Sequence, residues 1–140
     1  MRLKQMFAVL VSLIAIVVIS SPVLAHHATA SYDRSKMTIL KATITEFIWA
    51  NPHCVVRFDT TDDKGEVRHW TIEAPSVWNV TERGWTRKSM KPGDVVTMHF
   101  YAAKNGADAG YMVKAVLPNG QDLWARPPEE LQQKLTTPQQ

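Results

Sequence analysis

The sequence predicts an all-β fold: a small OB-like Greek-key barrel of five to six strands, with one short helix between strands three and four. Three observations predict it. Short segments alternate apolar and polar residues with a period of two, turn residues separate these segments, and one segment carries a helix cap. A short helix can plug the end of a barrel but cannot cover a sheet face, so a barrel is favoured over the alternative, a small open β-sandwich.

The first 25 residues have the pattern of a secretory signal peptide. Two basic residues precede an apolar run from Phe7 to Ile19, and Val23-Leu24-Ala25 offers a signal peptidase suitable side chains. The run is shorter than the roughly 20 residues that a membrane span needs. We therefore predict cleavage after Ala25, a periplasmic or secreted location, and a mature chain that begins at His26 and has no membrane span.

The mature part is nearly neutral and suits one domain. Cleavage removes two of the 16 basic residues and none of the 13 acidic ones, so the net charge falls from +3 to +1. No basic stripe is interleaved with aromatics, which argues against a nucleic-acid partner. The predicted organisation is a signal peptide (1–25), an N-terminal arm (26–36), a barrel domain (37–125) and a flexible C-terminal tail (126–140).

The first three strands are predicted from alternation and turn residues. They are expected at Met37–Trp49, Cys54–Thr60 and Glu66–Glu73. In the first, Leu40, Ala42 and Ile44 fall on one face. Asn51-Pro52 then interrupts the chain, because proline removes a backbone donor and restricts the residue before it.

The helix is expected at Val77–Arg83, capped by Ser76 and ended by Gly84 in a left-handed conformation. Later strands are expected at Val95–Ala102, Tyr111–Leu117 and, as a short sixth, Gln121–Trp124. In the fifth strand, Val113, Ala115 and Leu117 are expected to face the core.

Five histidines are the chemical candidates, and the pair His26-His27 at the predicted new N-terminus is the most informative. A terminal histidine offers an imidazole and an α-amino nitrogen whose ordinary pKa is about 7.7–8.0. One further imidazole would complete three nitrogens around a metal, the ligand set of the copper histidine brace, and nitrogen donors favour Cu(II). Alternatively, the His27 imidazole can chelate Cu(II) with the α-amine and the amide nitrogen between the two residues.

His53 is the third donor that we favour, because it follows the Asn51-Pro52 break at the mouth of a turn. His26 reaches it only if the arm runs back beside the first strand, since arm and strand each extend to roughly 40 Å. The alternative is that the paired histidines are an accident of the cleavage site and that His53 belongs to a rigid turn. His69 and His99 are expected on outward strand faces without a ligand role.

Cys54 is the only cysteine, so it cannot form an internal disulfide. It is a buried small hydrophobe, an intermolecular partner or a soft metal ligand. Burial is the commonest state of a free cysteine and is the reading that we favour.

Several motifs in a fixed order resemble a family of small exported bacterial proteins, catalogued as domain of unknown function six-one-five-two. They are Ala25-His26-His27, Tyr32-Asp33, Trp49-Ala50-Asn51-Pro52-His53, Gly84-Trp85 and Lys91-Pro92-Gly93-Asp94-Val95. The resemblance extends to about Leu117. That family usually has Ser-Phe after the paired histidines, where this chain has Ala28-Thr29. The resemblance implies a bacterial, periplasmic, β-rich protein and brings no known activity.

The preferred functional hypothesis is a periplasmic protein that binds, delivers or buffers a transition metal, copper above others, through His26 with His27 or His53. The alternative is a metal-free OB-like module that binds a periplasmic partner protein or a small ligand through Trp49, Trp78 and Trp85. A third hypothesis, an oxidative copper enzyme, is disfavoured because the sequence shows no convincing substrate cleft or acid/base pair.

Overall fold

Residues 31–128, which a computed structural model describes, form six strands and one short helix. In chain order these are β1 (Tyr32–Ile48), β2 (Val55–Thr61), β3 (Val67–Glu73), α1 (Val77–Thr81), β4 (Val95–Ala103), β5 (Ala109–Val116) and β6 (Asp122–Trp124). The helix lies between the third and fourth strands, as predicted. No helix in this part of the chain is long and apolar enough to cross a membrane.

The first strand is the longest element and belongs to both halves of the sheet. Its first half pairs antiparallel with β4 and its second half with β2. A register shift between Ile44 and Glu46 marks a bulge, which allows a strand to bend as it changes partners. The strand begins at Tyr32 rather than at the predicted Met37, because Tyr32 is already paired with β4 ahead of an irregular stretch.

A parallel pairing of β3 with β5 closes the sheet. The strand order is β3-β2-β1-β4-β5-β6, and β3 also pairs with β5 from Thr71↔Ala109 to Glu73↔Tyr111. Strands β1 to β5 thus form a closed barrel, and β6 extends the sheet beside the second half of β5. This confirms the predicted OB-like barrel over the open sandwich, because closure removes the free edges that a sandwich would leave.

The helix is held at its first turn by two side chains. The Ser76 hydroxyl accepts a hydrogen bond from the Asn79 amide, as a predicted cap should. The Asn51 side-chain oxygen accepts another from the Val77 amide at 3.1 Å. This second bond ties the turn before β2 to the helix. The helix ends at Thr81, two residues earlier than predicted, and Gly84 has a φ of 85°.

The barrel interior holds the core. Its largest fully buried side chains are Trp85, Phe58, Phe100, Ile44, Ile72, Met98 and Met112. Cys54 is also fully buried and unpaired, and burial raises the pKa of its thiol. Of its three alternatives, the buried small hydrophobe is therefore the one observed, because a buried neutral thiol is a poor metal ligand.

The fifth strand departs from the predicted alternation. His99 pairs with Lys114 but Phe100 pairs with Met112, so β5 carries one extra residue, Val113. Met112 and Ala115 face the core, whereas Val113 is buried outside the core cluster. The prediction that Val113 faces inward is wrong, because a bulge moves the residues beyond it to the other face of the strand.

Gly110 offers a test of the closure. A Cβ atom added there would lie 2.5 Å from Phe100 Cδ2 and 2.7 Å from the Tyr101 carbonyl oxygen, beside the seam between Ile72 and Gly110. Gly110→Ala should therefore lower the free energy of unfolding by about 2–3 kcal/mol, measured by urea denaturation. Gly65→Ala is the control: it has open space, and only its positive φ should cost about 1 kcal/mol. A Gly110→Ala variant as stable as the control would contradict the tight seam.

Candidate functional site

His53 lies at one end of the barrel, in the turn that joins β1 to β2. The turn contains a cis Asn51-Pro52 peptide bond. Its imidazole is 43% exposed, and Nδ1 lies 3.7 Å from Oε2 of Glu73, the last residue of β3. This distance exceeds a hydrogen bond but brings the ring and the carboxylate into electrostatic contact. With Nδ1 turned toward Glu73, Nε2 is the nitrogen left to bind a ligand.

Glu73 carries an unusual oxygen. Its Oε2 atom is buried and has no hydrogen-bond partner within residues 31–128. A buried polar atom without a partner costs free energy, more so when it carries charge. A cation or an N–H donor arriving at this position would therefore be stabilised.

Tyr32 and Tyr111 complete this end of the barrel. Tyr111 pairs with Glu73 across the β3–β5 seam, and the Tyr32 and Tyr111 ring centroids are 5.9 Å apart. Burial, followed by the negative charge of Glu73 and a hydrogen bond with the Glu73 side chain, raises the pKa of the Tyr32 phenol to about 12. The phenol is thus protonated at neutral pH, and it lies beside a carboxylate. We call His53, Glu73, Tyr32 and Tyr111 the His53 end.

The predicted ligands His26 and His27 lie outside the described residues, so only the length of chain between them and Tyr32 limits where they can bind. Tyr32 lies six positions after His26 in the chain, which limits the distance between them to about 20 Å. Because barrel closure brings Tyr32 to the His53 end, the arm does not need to run back along β1. A site shared by His26 and His53 therefore does not require the arm to span the roughly 40 Å length of an extended first strand.

The described residues alone do not form a metal site. No group of three or more His, Cys, Asp or Glu side chains within residues 31–128 could hold a metal ion. His53 and Glu73 contribute one nitrogen and one carboxylate at the same place. Any further protein donors at the His53 end would have to come from outside residues 31–128.

The other two described histidines lie elsewhere, on outward strand faces as predicted. The Nδ1 atom of His69 lies 2.7 Å from an Asp59 carboxylate oxygen on the neighbouring strand. His99 lies on β4 opposite Lys114, and burial followed by the Lys114 charge lowers the pKa of its imidazole. Neither residue is brought to His53.

The three tryptophans predicted to form a ligand or partner surface do not form one. Trp78 is 72% exposed, whereas Trp49 is half-buried and packs edge-on against Phe47. Trp85 is only 2% exposed, and its indole N–H donates to the Trp124 carbonyl at 2.9 Å. The prediction for Trp85 is wrong, because the connector after α1 turns back into the core. Of the three tryptophans in the alternative hypothesis of partner binding, only Trp78 is largely exposed.

Sequence reasoning missed Tyr32 and Glu73 as site residues. Tyr32 lay in the predicted arm, and Glu73 ended a predicted strand without a recognisable partner. Their shared position follows from the parallel β3–β5 seam, and sequence alternation carries no signal for that pairing.

Comparison with known proteins places the chain in a family. It belongs to a family of unknown function (DUF6152), whose model matches residues 14–112. This confirms the resemblance drawn from the motifs. No curated protein and no solved structure matches the chain.

The Tyr32 environment predicts a loss of stability at high pH. The phenol titrates near pH 10 in the unfolded chain and at about 12 when folded, so the folded state holds this proton more tightly. Its contribution is complete below pH 10 and is lost as the pH rises to about 12. Over this range, the parent chain should lose more free energy of unfolding in urea than Tyr32→Phe. Tyr101→Phe, which keeps Tyr32, is the control, and equal losses in parent and Tyr32→Phe would contradict this environment.

Proposed function

We propose that the protein is exported, begins at His26 after cleavage, and binds a transition metal, copper above others, at the His53 end. One observation carries the proposal: the start of β1, the His53 turn and a buried Glu73 oxygen, which has no hydrogen-bond partner in residues 31–128, meet at one end of the barrel. The chain that leads to His26 therefore joins the barrel beside the only histidine that faces this oxygen in the described part.

The donor chemistry favours copper. His26 would supply its α-amine and imidazole, and His53 would supply Nε2, which gives three nitrogen donors. Such nitrogen sets bind Cu(II) more tightly than the other divalent first-row metals. Removing the proton from the α-amine costs little free energy near neutral pH, because its ordinary pKa is about 7.7–8.0.

Glu73 fits the role of a supporting carboxylate. Metal-binding histidines commonly donate their second ring N–H to a carboxylate, which fixes the ring and strengthens the ligand. His53 Nδ1 already lies 3.7 Å from Glu73 Oε2, so a small rotation would make this bond. The same charge would also offset part of the charge of the metal.

The proposed role is metal binding, delivery or buffering. His27 contributes as an alternative donor, through its imidazole and the amide between it and His26. This second mode needs no residue of the barrel. Substituting His53 should therefore weaken copper binding if the site is on the barrel, and should leave it unchanged if the terminal residues chelate the metal alone.

Copper affinity tests the proposal. A chain from His26 to Gln140 should bind one Cu(II), measured by titration against a competing chelator. Blocking the terminus with Gly-Ser-Gly-Ser, or changing His53→Ala, should each weaken binding by at least about tenfold. The reason is that removing a ligand costs no less than the roughly 10–100-fold lost with a supporting partner.

The design of the extension matters. One or two added residues would place His27 or His26 third from the terminus and create a new Cu(II) chelate, whereas four avoid this. His69→Ala is the matched control, since His69 also faces a carboxylate, Asp59, on an outer strand face. A site lost on extension but kept in His53→Ala would contradict the barrel site. Equally weak Cu(II) binding by the parent chain, the extended chain and the histidine variants would contradict the metal proposal.

A further inference from the structure

A groove of about 420 Å³ lies on the outer face of the barrel, apart from the histidine turn. It crosses β1, β4, β5 and β6, and the segment after β6 forms one wall. Arg34, Tyr101, Lys114, Trp124 and Arg126 are among the residues that line it. The volume lies in the range typical of small-molecule sites.

Two irregularities in the strands build the groove. The bulge at Val113 leaves that residue's carbonyl free to accept hydrogen bonds from the Ala125 and Arg126 amides, both at 2.9 Å. These bonds hold Arg126 and the two prolines that follow at the groove wall. On the opposite side, the irregular stretch of β1 carries Arg34, next to Asp33, whose carboxylate accepts from the Ser35 amide and hydroxyl.

The groove has an excess of positive charge. None of the described residues that line it is an aspartate or glutamate, and of the three permanent cations among them only Lys114 is paired, with Asp122 at 2.6 Å. Arg34 and Arg126 have no carboxylate partner within residues 31–128. The guanidinium of Arg126 instead lies 5.9 Å from the centre of the Tyr111 ring. Within the described residues, two guanidinium groups at the groove therefore lack a carboxylate partner.

The rest of the lining is apolar or aromatic. Trp124 lies under the Lys114 ammonium, whose Nζ is 4.9 Å from the ring centre, and Tyr101 pairs with Met37 across β1 and β4. A planar or apolar body can pack against such side chains. A guanidinium binds carboxylate, sulfonate or phosphate oxygens through two parallel hydrogen bonds.

We propose that this groove binds a small organic anion with a planar apolar body, its charged group at Arg34 and Arg126 and its body against Trp124 and Tyr101. None of the residues that line the groove is a proposed metal ligand, so the two proposals can be tested separately. Burial and then the charge of Lys114 lower the pKa of the His99 imidazole, with Asp122 opposing, and this disfavours a positive charge on the ring. The recognition charge therefore comes from the two arginines.

A pair of fluorescent probes tests the proposal on the metal-free chain from His26 to Gln140, which contains the whole described barrel. 1-Anilinonaphthalene-8-sulfonate has an aromatic body and a sulfonate, and N-phenyl-1-naphthylamine has the same body without the charge. The sulfonate should bind more tightly. The double variant Arg34→Gln with Arg126→Gln should weaken it by about tenfold or more, since bonds to charged groups are lost. The neutral probe should change little.

Arg87→Gln with Lys88→Gln is the matched control, because it removes the same charge from an exposed turn outside the groove. Equal binding of both probes, no binding of the sulfonate, or an equal loss in the control would each overturn the proposal. Amide shifts on adding the sulfonate to the parent chain give a second test: they should centre on His99, Tyr101 and Trp124. Arginine-dependent sedimentation with phosphatidylglycerol vesicles, without sulfonate binding, would assign the groove to lipid headgroups instead.

Discussion

The parallel pairing of β3 with β5 is the contact on which the rest of the structure depends. It converts an open six-stranded sheet into a closed barrel and leaves no room for a side chain at Gly110. It also sets Glu73 beside Tyr111, and Tyr111 beside Tyr32. Positions separated by up to 79 residues in the chain thereby become neighbours, and the candidate metal site exists only because of this seam.

Much of the barrel could be predicted from local patterns. Period-two alternation placed every strand within a few residues, and Ser76 and Gly84 marked the helix. Local patterns fail where a contact is distant or a strand is irregular. The Trp85 indole is buried, and its N–H donates a hydrogen bond to the carbonyl of Trp124, 39 residues away. The bulge at Val113 reverses the alternation of inward and outward residues in β5. His53 could be proposed as a candidate ligand from its turn, whereas Glu73 becomes a candidate only once the barrel is closed.

The two proposed sites have opposite electrostatic character. The His53 end presents a carboxylate oxygen that has no hydrogen-bond partner in the described part of the chain, which suits a cation. The groove presents two arginines without a carboxylate partner in the described residues, which suits an anion. Tyr111 touches both regions, because its ring contacts Tyr32 on one side and lies near the Arg126 guanidinium on the other. The two proposals thus place a cation at one end of the barrel and an anion on one outer face.

The most direct test of the central claim is to map which amide NMR signals of the chain from His26 to Gln140 are broadened by bound Cu(II). A paramagnetic ion at the His53 end should erase the signals of Tyr32, His53, Glu73 and Tyr111 at equimolar copper. The signals around His69, which lies four residues before Glu73 along β3, should persist more strongly. Broadening centred on His69, or spread evenly over the barrel, would contradict a site built by the β3–β5 closure.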